Sequence, residues 1–370
     1  MAQNSVSTCW RGEHSKRDEK WILVCAYNDK DEDKLRNVST IHHGWGYQLA
    51  EFHMVDLENN KIHRHCFPPL ILFVLMDSIV ALDNFVYIFA NRPSSFLVDS
   101  SDFKQLQSQS PETHQKIFLG GSRLDLNQSL HLGWCATPVP RGHANFPNCT
   151  SLLGKIYTFG GYYLRPRVLD PVDGNWKSLR SRPVELFGCN VSIHALPDPF
   201  NKRFLVHLYG GKLSSPSLFA FFPPGLHPAD VDSAGTWECI ARDFQGWTHV
   251  AVVFDGVIYF HSHKFHSVLR AYQIATRTWL EVHWGSCFDD NLDLNNIRLE
   301  FDALFLLADG ILCLAAWSPM RASDDQPAQT NIKIYKFSVV QRGETIKLSP
   351  LASCSYELPA TSKVQEFLPV

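Results

Sequence analysis

A histidine-rich segment offers the first chemistry that the residue types could perform. In HSHKFH, residues 261–266, His261 and His263 are two positions apart, and such residues share one face of a β-strand. Two imidazoles on one face can bind a divalent metal, but zinc sites need at least a third protein ligand. No carboxylate stands at a spacing that supplies it. The sequence therefore predicts a polar, ligand-contacting loop here, with no metal and no cofactor.

Arginines supply the second candidate chemistry. Four of them lie in predicted loops of different parts of the chain: Arg92, Arg141, Arg165 and Arg321. If these loops share one face, the guanidinium groups can converge on a carboxylate ligand or an acidic peptide, because arginine forms bidentate charge-assisted hydrogen bonds. The alternative stays open that they are solvated charges or partners of acidic residues such as Asp289.

Aromatic and imidazole side chains complete the candidate binding residues. They are His143, Tyr162, Tyr163, Trp247 and Trp317. Aromatic residues beside arginine are typical anchors of protein interfaces. The competing interpretation is that these rings pack between neighbouring repeats beneath the loops.

Six apolar runs recur along the chain, and these must form the strands that position the loops. They repeat every ~50–70 residues, as repeat architectures do, and they are Trp21–Asn28, Asn84–Asn91, Gly154–Gly161, Phe204–Gly211, Gly256–His263 and Gly310–Trp317. Runs this apolar suit strands that are buried on both faces. Turn signals such as Asp255-Gly256 precede them, and an alternating segment and a tryptophan often follow. Each repeat therefore predicts four antiparallel strands.

The repeat resembles the kelch family of β-propellers. The residues that carry the resemblance are YTFGG with LDPVDGNW, HLYGG with GTWECI, and GVIYFHS with YQIATRTW. It implies an all-β, six-bladed propeller with four antiparallel strands per blade. The blades would be about 21–67, 71–135, 143–182, 189–242, 248–283 and 297–348, in a single domain of residues 21–360 that follows a polar tail of residues 1–20. The pattern is most similar to plant F-box/kelch proteins, although the first residues lack the helical apolar pattern of an F-box.

Ring closure needs a strand from one end of the chain, because the first repeat lacks its innermost strand. Residues 5–10 or 351–358 would have to supply it, and we expect the C-terminal segment to do so. The outer edge of each blade is expected to stay exposed. Residues 28–45 are predicted to be a polar loop, with a lid over the propeller mouth as the alternative.

Composition limits the classes of partner. The 34 basic and 37 acidic residues nearly balance, so we expect neither nucleic acid nor an anionic membrane as the main partner. No apolar stretch is long enough to span a membrane, and the first residues do not resemble a signal peptide. The ten cysteines form no CxxC pair, which favours buried thiols in a reducing cytoplasm or nucleus.

The functional prediction is an interaction protein that binds a partner protein through the loop face of the propeller, as a substrate-recognition or scaffold component. The alternative is an enzyme that binds a small molecule at the mouth, of an isomerase, cyclase or lyase type from plant specialised metabolism. No P-loop, GxSxG, HExxH or dinucleotide motif occurs. Positioned groups in a pocket can catalyse such reactions without a motif, so the enzyme question stays open.

Overall fold

The computed structural model describes residues 21–28, 47–59, 61–73, 78–89, 121–126, 135–138, 148–159, 165–181, 192–210, 215–226, 234–246, 251–262, 268–284, 300–307, 310–320, 329–359 and 362–369. The regular elements in these ranges are all β-strands, as the sequence predicts. Within the same ranges, no helix has the length and apolar character needed to cross a bilayer.

The strands form four four-stranded sheets and one eight-stranded sheet. Sheet one contains, in spatial order, β24 (Ser362–Pro369), β1 (Trp21–Asn28), β2 (Tyr47–Asp56) and β3 (Lys61–Phe73). Sheet two contains β4 (Ser78–Leu82), β5 (Phe85–Phe89), β6 (Gly121–Asp125) and β7 (Cys135–Thr137). Sheet three contains β8 (Asn148–Leu152), β9 (Lys155–Phe159), β10 (Arg167–Asp170) and β11 (Asn175–Ser178).

Sheet four contains β12 (Ser192–Asp198), β13 (Arg203–Tyr209), β14 (Ser217–Phe222) and β15 (Thr236–Arg242). The first half of sheet five contains β16 (Ala251–Phe254), β17 (Val257–Ser262), β18 (Val268–Gln273) and β19 (Thr278–Trp284). Its second half contains β20 (Glu300–Leu307), β21 (Ile311–Met320), β22 (Gln329–Arg342) and β23 (Thr345–Pro359). The two halves join through β19 and β23.

Each of the six apolar runs forms a strand, which confirms the prediction made from the repeat. The strands are β1, β5, β9, β13, β17 and β21. The Asp255-Gly256 turn is also confirmed: Phe254 pairs with Val257, and the two turn residues have φ angles of 48° and 73°. Positive φ at both central residues is what a two-residue hairpin turn requires.

Buried apolar clusters lie between neighbouring sheets. Between sheets three and four, the ring of Phe159 meets those of Phe204 and Phe221 edge-on, with centroids 5.0 and 5.6 Å apart. The first strand of each set of four also contacts the first strand of the following set. These strands are, in order, β24, β4, β8, β12, β16 and β20, and β20 in turn contacts β24. Apolar packing between sheets thus supplies the core, as the hydrophobic runs require.

The strand that pairs with β1 corrects one prediction. Residues 351–358 do not pair with it, because they belong to β23, which pairs with β22 over nearly its whole length. Gly343, which has a left-handed φ of 61°, allows the tight turn that joins β22 to β23. It is Ser362–Pro369 that runs antiparallel to β1. The other candidate, residues 5–10, lies outside the described residues, as do the polar tail and nearly all of the 28–45 loop.

The prediction that the outer edge of every set of four strands stays exposed is wrong for one set. Residues 281–284 of β19 pair in parallel with residues 345–348 of β23. The outer edge of the β16–β19 set is therefore covered, because the β22–β23 hairpin brings another strand of the same chain against it. A paired edge no longer presents unsatisfied N–H and C=O groups to another molecule.

Asp56, at the end of β2, makes the stability of the fold sensitive to acid. Its Oδ1 accepts the backbone N–H groups of Glu58 and Asn59 at 2.9 Å, and its Oδ2 accepts Asn59 Nδ2 at 2.8 Å. These hydrogen bonds, led by the Asn59 side chain, hold the pKa of Asp56 below its usual value. A carboxyl with a lowered folded pKa stabilises the protein above its unfolded pKa, and this contribution is lost as pH falls through the folded pKa.

We therefore expect Asp56→Asn to reduce the dependence of stability on pH. The free energy of unfolding, measured with denaturant at several pH values, should fall less between about pH 5 and pH 3 in the variant than in the parent. An unchanged slope would show that Asp56 does not carry this dependence.

Candidate functional site

Most of the binding residues predicted from the sequence lie outside the described residues. These are Arg92, Arg141, His143, Tyr162, Tyr163, Trp247, His263, Asp289 and Arg321. Of the others, His261 lies on β17 opposite Leu269, and Arg165 is exposed shortly before β10. No contact is seen among the three that the structure describes, Arg165, His261 and Trp317, so the convergence of the whole set stays a prediction.

Trp317 favours the packing interpretation over the binding one. It lies on β21, and its half-buried side chain packs against the apolar cluster between sheets five and one. Its Nε1 atom is buried and has no hydrogen-bond partner among the residues that the structure describes. The ring contributes to the core at this position.

A cleft between sheets four and five is the strongest candidate site in the described part of the chain. Its volume is about 460 Å³, within the range of small-molecule and peptide pockets. One wall is the end of β15 with the residues that follow it, and the other is the β18–β19 hairpin. The lining residues are Cys239, Ile240, Ala241, Arg242, Asp243, Phe244, Tyr272, Arg277 and Trp279.

Aromatic rings form the inner wall of the cleft. Phe244, which is 2% exposed, stacks on Trp279 with an interplanar angle of 9° and a centroid distance of 5.5 Å. Tyr272 meets both rings edge-on, at 4.9 and 5.0 Å. The Arg270 guanidinium lies 4.1 Å from the centroid of Trp279, a cation–π contact worth about 0.5–2 kcal/mol. These contacts fix the orientation of Trp279, which is still 39% exposed.

The chain after β15 is shaped to place Phe244 in this position. A bulge near Ile240 shifts the register of β15 against β14, and Asp243 then takes a left-handed φ of 59°. The Phe244 N–H donates to the Pro216 carbonyl at 3.0 Å. Gly246 is required beside the ring, because a Cβ there would overlap Phe244. Local backbone geometry thus holds Phe244 under the cleft.

Arg277 stands where the equivalent turns have glycine. In each of β11, β15 and β19 a tryptophan is the second residue, and two positions before it lies a residue with positive φ. That residue is Gly174 (φ 64°), Gly235 (φ 91°) or Arg277 (φ 60°). A left-handed conformation costs a non-glycine residue about 1–2 kcal/mol. This turn thus differs from its two equivalents by an exposed arginine at the left-handed position.

Trp279 also differs from its equivalents. The Trp176 indole N–H donates to the Pro138 carbonyl at 2.9 Å, and that of Trp237 reaches the Arg180 carbonyl at 3.4 Å. Both carbonyls belong to residues that follow the last strand of the preceding sheet, so these bonds tie neighbouring sheets together. Trp279 Nε1 makes no hydrogen bond with any residue that the structure describes. Among the described residues, therefore, no equivalent indole–carbonyl bond connects sheets four and five.

The exposed charges at the cleft are mainly positive. Arg242 and Arg277 are exposed, and Asp243 is the acidic residue of the lining. Burial raises the pKa of Tyr272, and the positive charge of Arg277 partly opposes this shift. Burial lowers the pKa of the Arg270 guanidinium beneath the surface. Two guanidinium groups and an indole N–H make this arrangement suited to binding a carboxylate or a carbonyl group.

A second polar cluster lies behind the aromatic wall. His194 Nε2 and the Tyr209 hydroxyl are 2.9 Å apart, and His207 stacks on Tyr209 with centroids separated by 5.1 Å. His207 is buried and meets Phe244 edge-on at 5.6 Å. No group of three or more His, Cys, Asp or Glu in the described ranges is placed to hold a metal ion. The cluster supports Phe244, and the enzyme alternative stays a prediction.

Sequence reasoning missed this cleft, although a signal for it was present. The three tryptophan segments GNW, GTW and RTW differ at the glycine position, and only RTW carries a charged residue there. Arginine is unfavourable at a left-handed position, so this exchange could have marked Arg277. The histidine to which the sequence pointed instead, His263, lies outside the described residues.

Comparison with known proteins identifies no family. No family model matches the chain, and no curated protein matches it. Among solved structures, the extracellular domain of the one-component system BT4673 from B. thetaiotaomicron is similar with a TM-score of 0.40 and 13% identity, covering 75% of this chain and 30% of that one. The N-terminal domain of Nup159 has a TM-score of 0.30 and 7% identity, covering 77% and 63%.

Apo AztD from Citrobacter koseri is also similar, with a TM-score of 0.34 and 9% identity over 94% of this chain and 98% of that one. The chain spans less than two thirds of the length of the BT4673 and Nup159 structures. At these identities and TM-scores the similarities indicate neither a family nor a function for this chain.

Proposed function

We propose that the chain is a six-bladed, kelch-type β-propeller that binds a partner protein. Support for the blades comes from the ring of contacts between the first strands, β24, β4, β8, β12, β16 and β20. Each of these strands begins a set of four antiparallel strands. In propellers the strands are used for packing, and binding is left to loops and exposed edges.

The open cleft at Trp279 is the observation that carries this proposal. At Trp176 and Trp237 an indole–carbonyl hydrogen bond connects neighbouring sheets. At Trp279 the same position instead has an exposed ring, arginines and a cavity of about 460 Å³. Exposed tryptophan and arginine are the residue types most enriched at the energetic centres of protein interfaces. The loop face predicted from the sequence remains a second proposed binding surface.

Site-specific photocrosslinking in the native cells tests the proposal. Ala275, in the β18–β19 turn beside the cleft, is exposed, and Val172 occupies the equivalent place in the β10–β11 turn. We expect Ala275→p-benzoylphenylalanine to give discrete crosslinked proteins, and Val172→p-benzoylphenylalanine not to give them. Identical crosslinking patterns from both positions, or no adduct at position 275, would contradict a partner site at the cleft.

We also propose a reducing compartment, cytoplasmic or nuclear, for this protein. No disulfide joins any of the described cysteines, which are Cys25, Cys135, Cys149, Cys239, Cys313 and Cys354. Burial raises the pKa of the Cys149 thiol and of the Cys313 thiol to about 12. Thiols with such values are mostly protonated at neutral pH and react slowly, which supports a role as small apolar core residues.

A further inference from the structure

We propose that the partner presents an extended acidic segment, which adds as a strand to the outer edge of β15 and places a carboxylate between Arg242 and Arg277. This inference rests on the proposed function, because it names the chemistry of the partner at the same cleft. The occupant to which it commits is a peptide segment of a protein.

The hydrogen-bond donors determine the charge of the ligand. Arg242 and Arg277 are exposed at the cleft, and Trp279 adds an indole N–H that bonds to no described residue. Guanidinium groups bind carboxylates in a bidentate manner, and such charge-assisted bonds are stronger than neutral ones. Two exposed guanidinium groups are too few for a polyphosphate backbone, which needs many neutralising contacts.

The position of β15 determines the conformation of the ligand. It is the last strand of sheet four, and its residues Cys239–Arg242 line the cleft. Its counterpart β19 is the last of the β16–β19 set, and it pairs with a parallel strand, residues 345–348 of β23. The last strand of the β16–β19 set thus already pairs with an additional strand from the same chain. Peptides that add to a sheet edge gain affinity from main-chain hydrogen bonds and specificity from alternate side chains.

The size of the cleft fits side chains of such a strand. A volume of about 460 Å³ holds a few side chains and excludes a folded domain. Because side chains alternate along a strand, every second residue of the peptide would point into the cleft. The aromatic wall of Phe244 and Trp279 would cover the apolar stem of a glutamate, whose carboxylate would reach the arginines.

Fluorescence anisotropy with three labelled synthetic peptides tests this inference. One peptide alternates glutamate with valine, and in the other two glutamine or lysine replaces every glutamate. We expect the glutamate peptide to bind about tenfold more tightly than the glutamine peptide, the ratio that one charge-assisted contact supplies. N-methylation of alternate peptide backbone nitrogens should abolish binding, because it removes the donors that a strand ladder needs.

Arg277→Gly separates binding from folding. Glycine occupies the same turn position at Gly174 and Gly235, so the variant should fold and have a higher thermal midpoint than the parent. Lys202→Gly is the matched control, because Lys202 is also an exposed cation with a positive φ, of 52°, but does not line the cleft. We expect Arg277→Gly to remove the preference for the glutamate peptide and Lys202→Gly to retain it.

The outcomes distinguish the two levels of the proposal. Equal affinities of the three peptides, or a glutamate preference that survives in Arg277→Gly, would overturn the proposal that the partner segment is acidic. Adducts at position 275 would then still support a partner site. Unchanged affinity after N-methylation would overturn strand addition. Displacement of the glutamate peptide by oligouridine at lower concentration than by unlabelled peptide would overturn the inference in favour of nucleic acid. Failure of the proposed function would appear separately, as absence of specific adducts at position 275.

Discussion

A chain that ends at Pro359 should lose about 5 kcal/mol or more of its free energy of unfolding, which is comparable with the total stability of many domains. The truncation removes β24, which pairs with β1 from Ile22 to Asn28. Residues 22–26 of β1 have no exposed surface, so the truncation would uncover their apolar side chains and remove backbone hydrogen bonds. Burial of one such side chain contributes about 1.5–3 kcal/mol, and one hydrogen bond about 0.5–1.5 kcal/mol. Denaturant titration followed by circular dichroism measures the loss.

A peptide of residues 360–370 provides the control for this truncation. Added in trans, it should raise the thermal midpoint of the shortened chain in a concentration-dependent manner, because it binds only the folded state. A scrambled peptide of the same composition should have no effect. Equal stability of the truncated and full-length chains would show that β1 does not depend on β24.

Phe244→Ala should destabilise the protein by about 3–5 kcal/mol, as expected for a buried aromatic ring. The ring is 2% exposed and contacts Tyr272, Trp279 and His207. Its removal leaves a cavity between sheets four and five and takes away the stacking partner of Trp279. The cleft would then lose its inner wall, so affinity for any cleft ligand should fall together with stability. Urea denaturation measures the first effect.

Phe200→Ala is the matched control for this substitution. Phe200 lies in the β12–β13 turn of the same sheet and is 69% exposed. Its truncation should change the free energy of unfolding by no more than about 0.5 kcal/mol, as for other surface positions. Similar losses from both variants would show that Phe244 is not packed as described.

The repeating strands could be predicted from the sequence because their signals are local. Trp21–Asn28 forms β1 with the predicted bounds, and Asp255-Gly256 forms the predicted turn. The pairing of strands distant in the chain had no local signal. Residues 351–358 and residues 362–369 both suit a strand, and only their partners, β22 and β1, distinguish them. The parallel pairing of β19 with β23 was unpredictable for the same reason.

The candidate site was less predictable than the strands. Arg277 and Trp279 were visible in the RTW segment, since the other two tryptophan segments have glycine. The position of Phe244 depends on the bulge in β15 and on the left-handed Asp243, neither of which follows from residue types alone. A cleft between two sheets is a property of packing, so its volume appears only when both sheets are placed.

The pairing of β1 with β24 has a mechanical consequence. Ile22 pairs with Pro369 and Asn28 with Ser362, so the outward-leading ends of both strands lie at the same side of sheet one. Tension applied through the residues before Trp21 and after Pro369 would act on one hydrogen bond at a time, in an unzipping geometry. The bonds would separate in sequence under low force instead of resisting together in shear. A pull on its two ends would therefore open this protein first at the seam between β1 and β24.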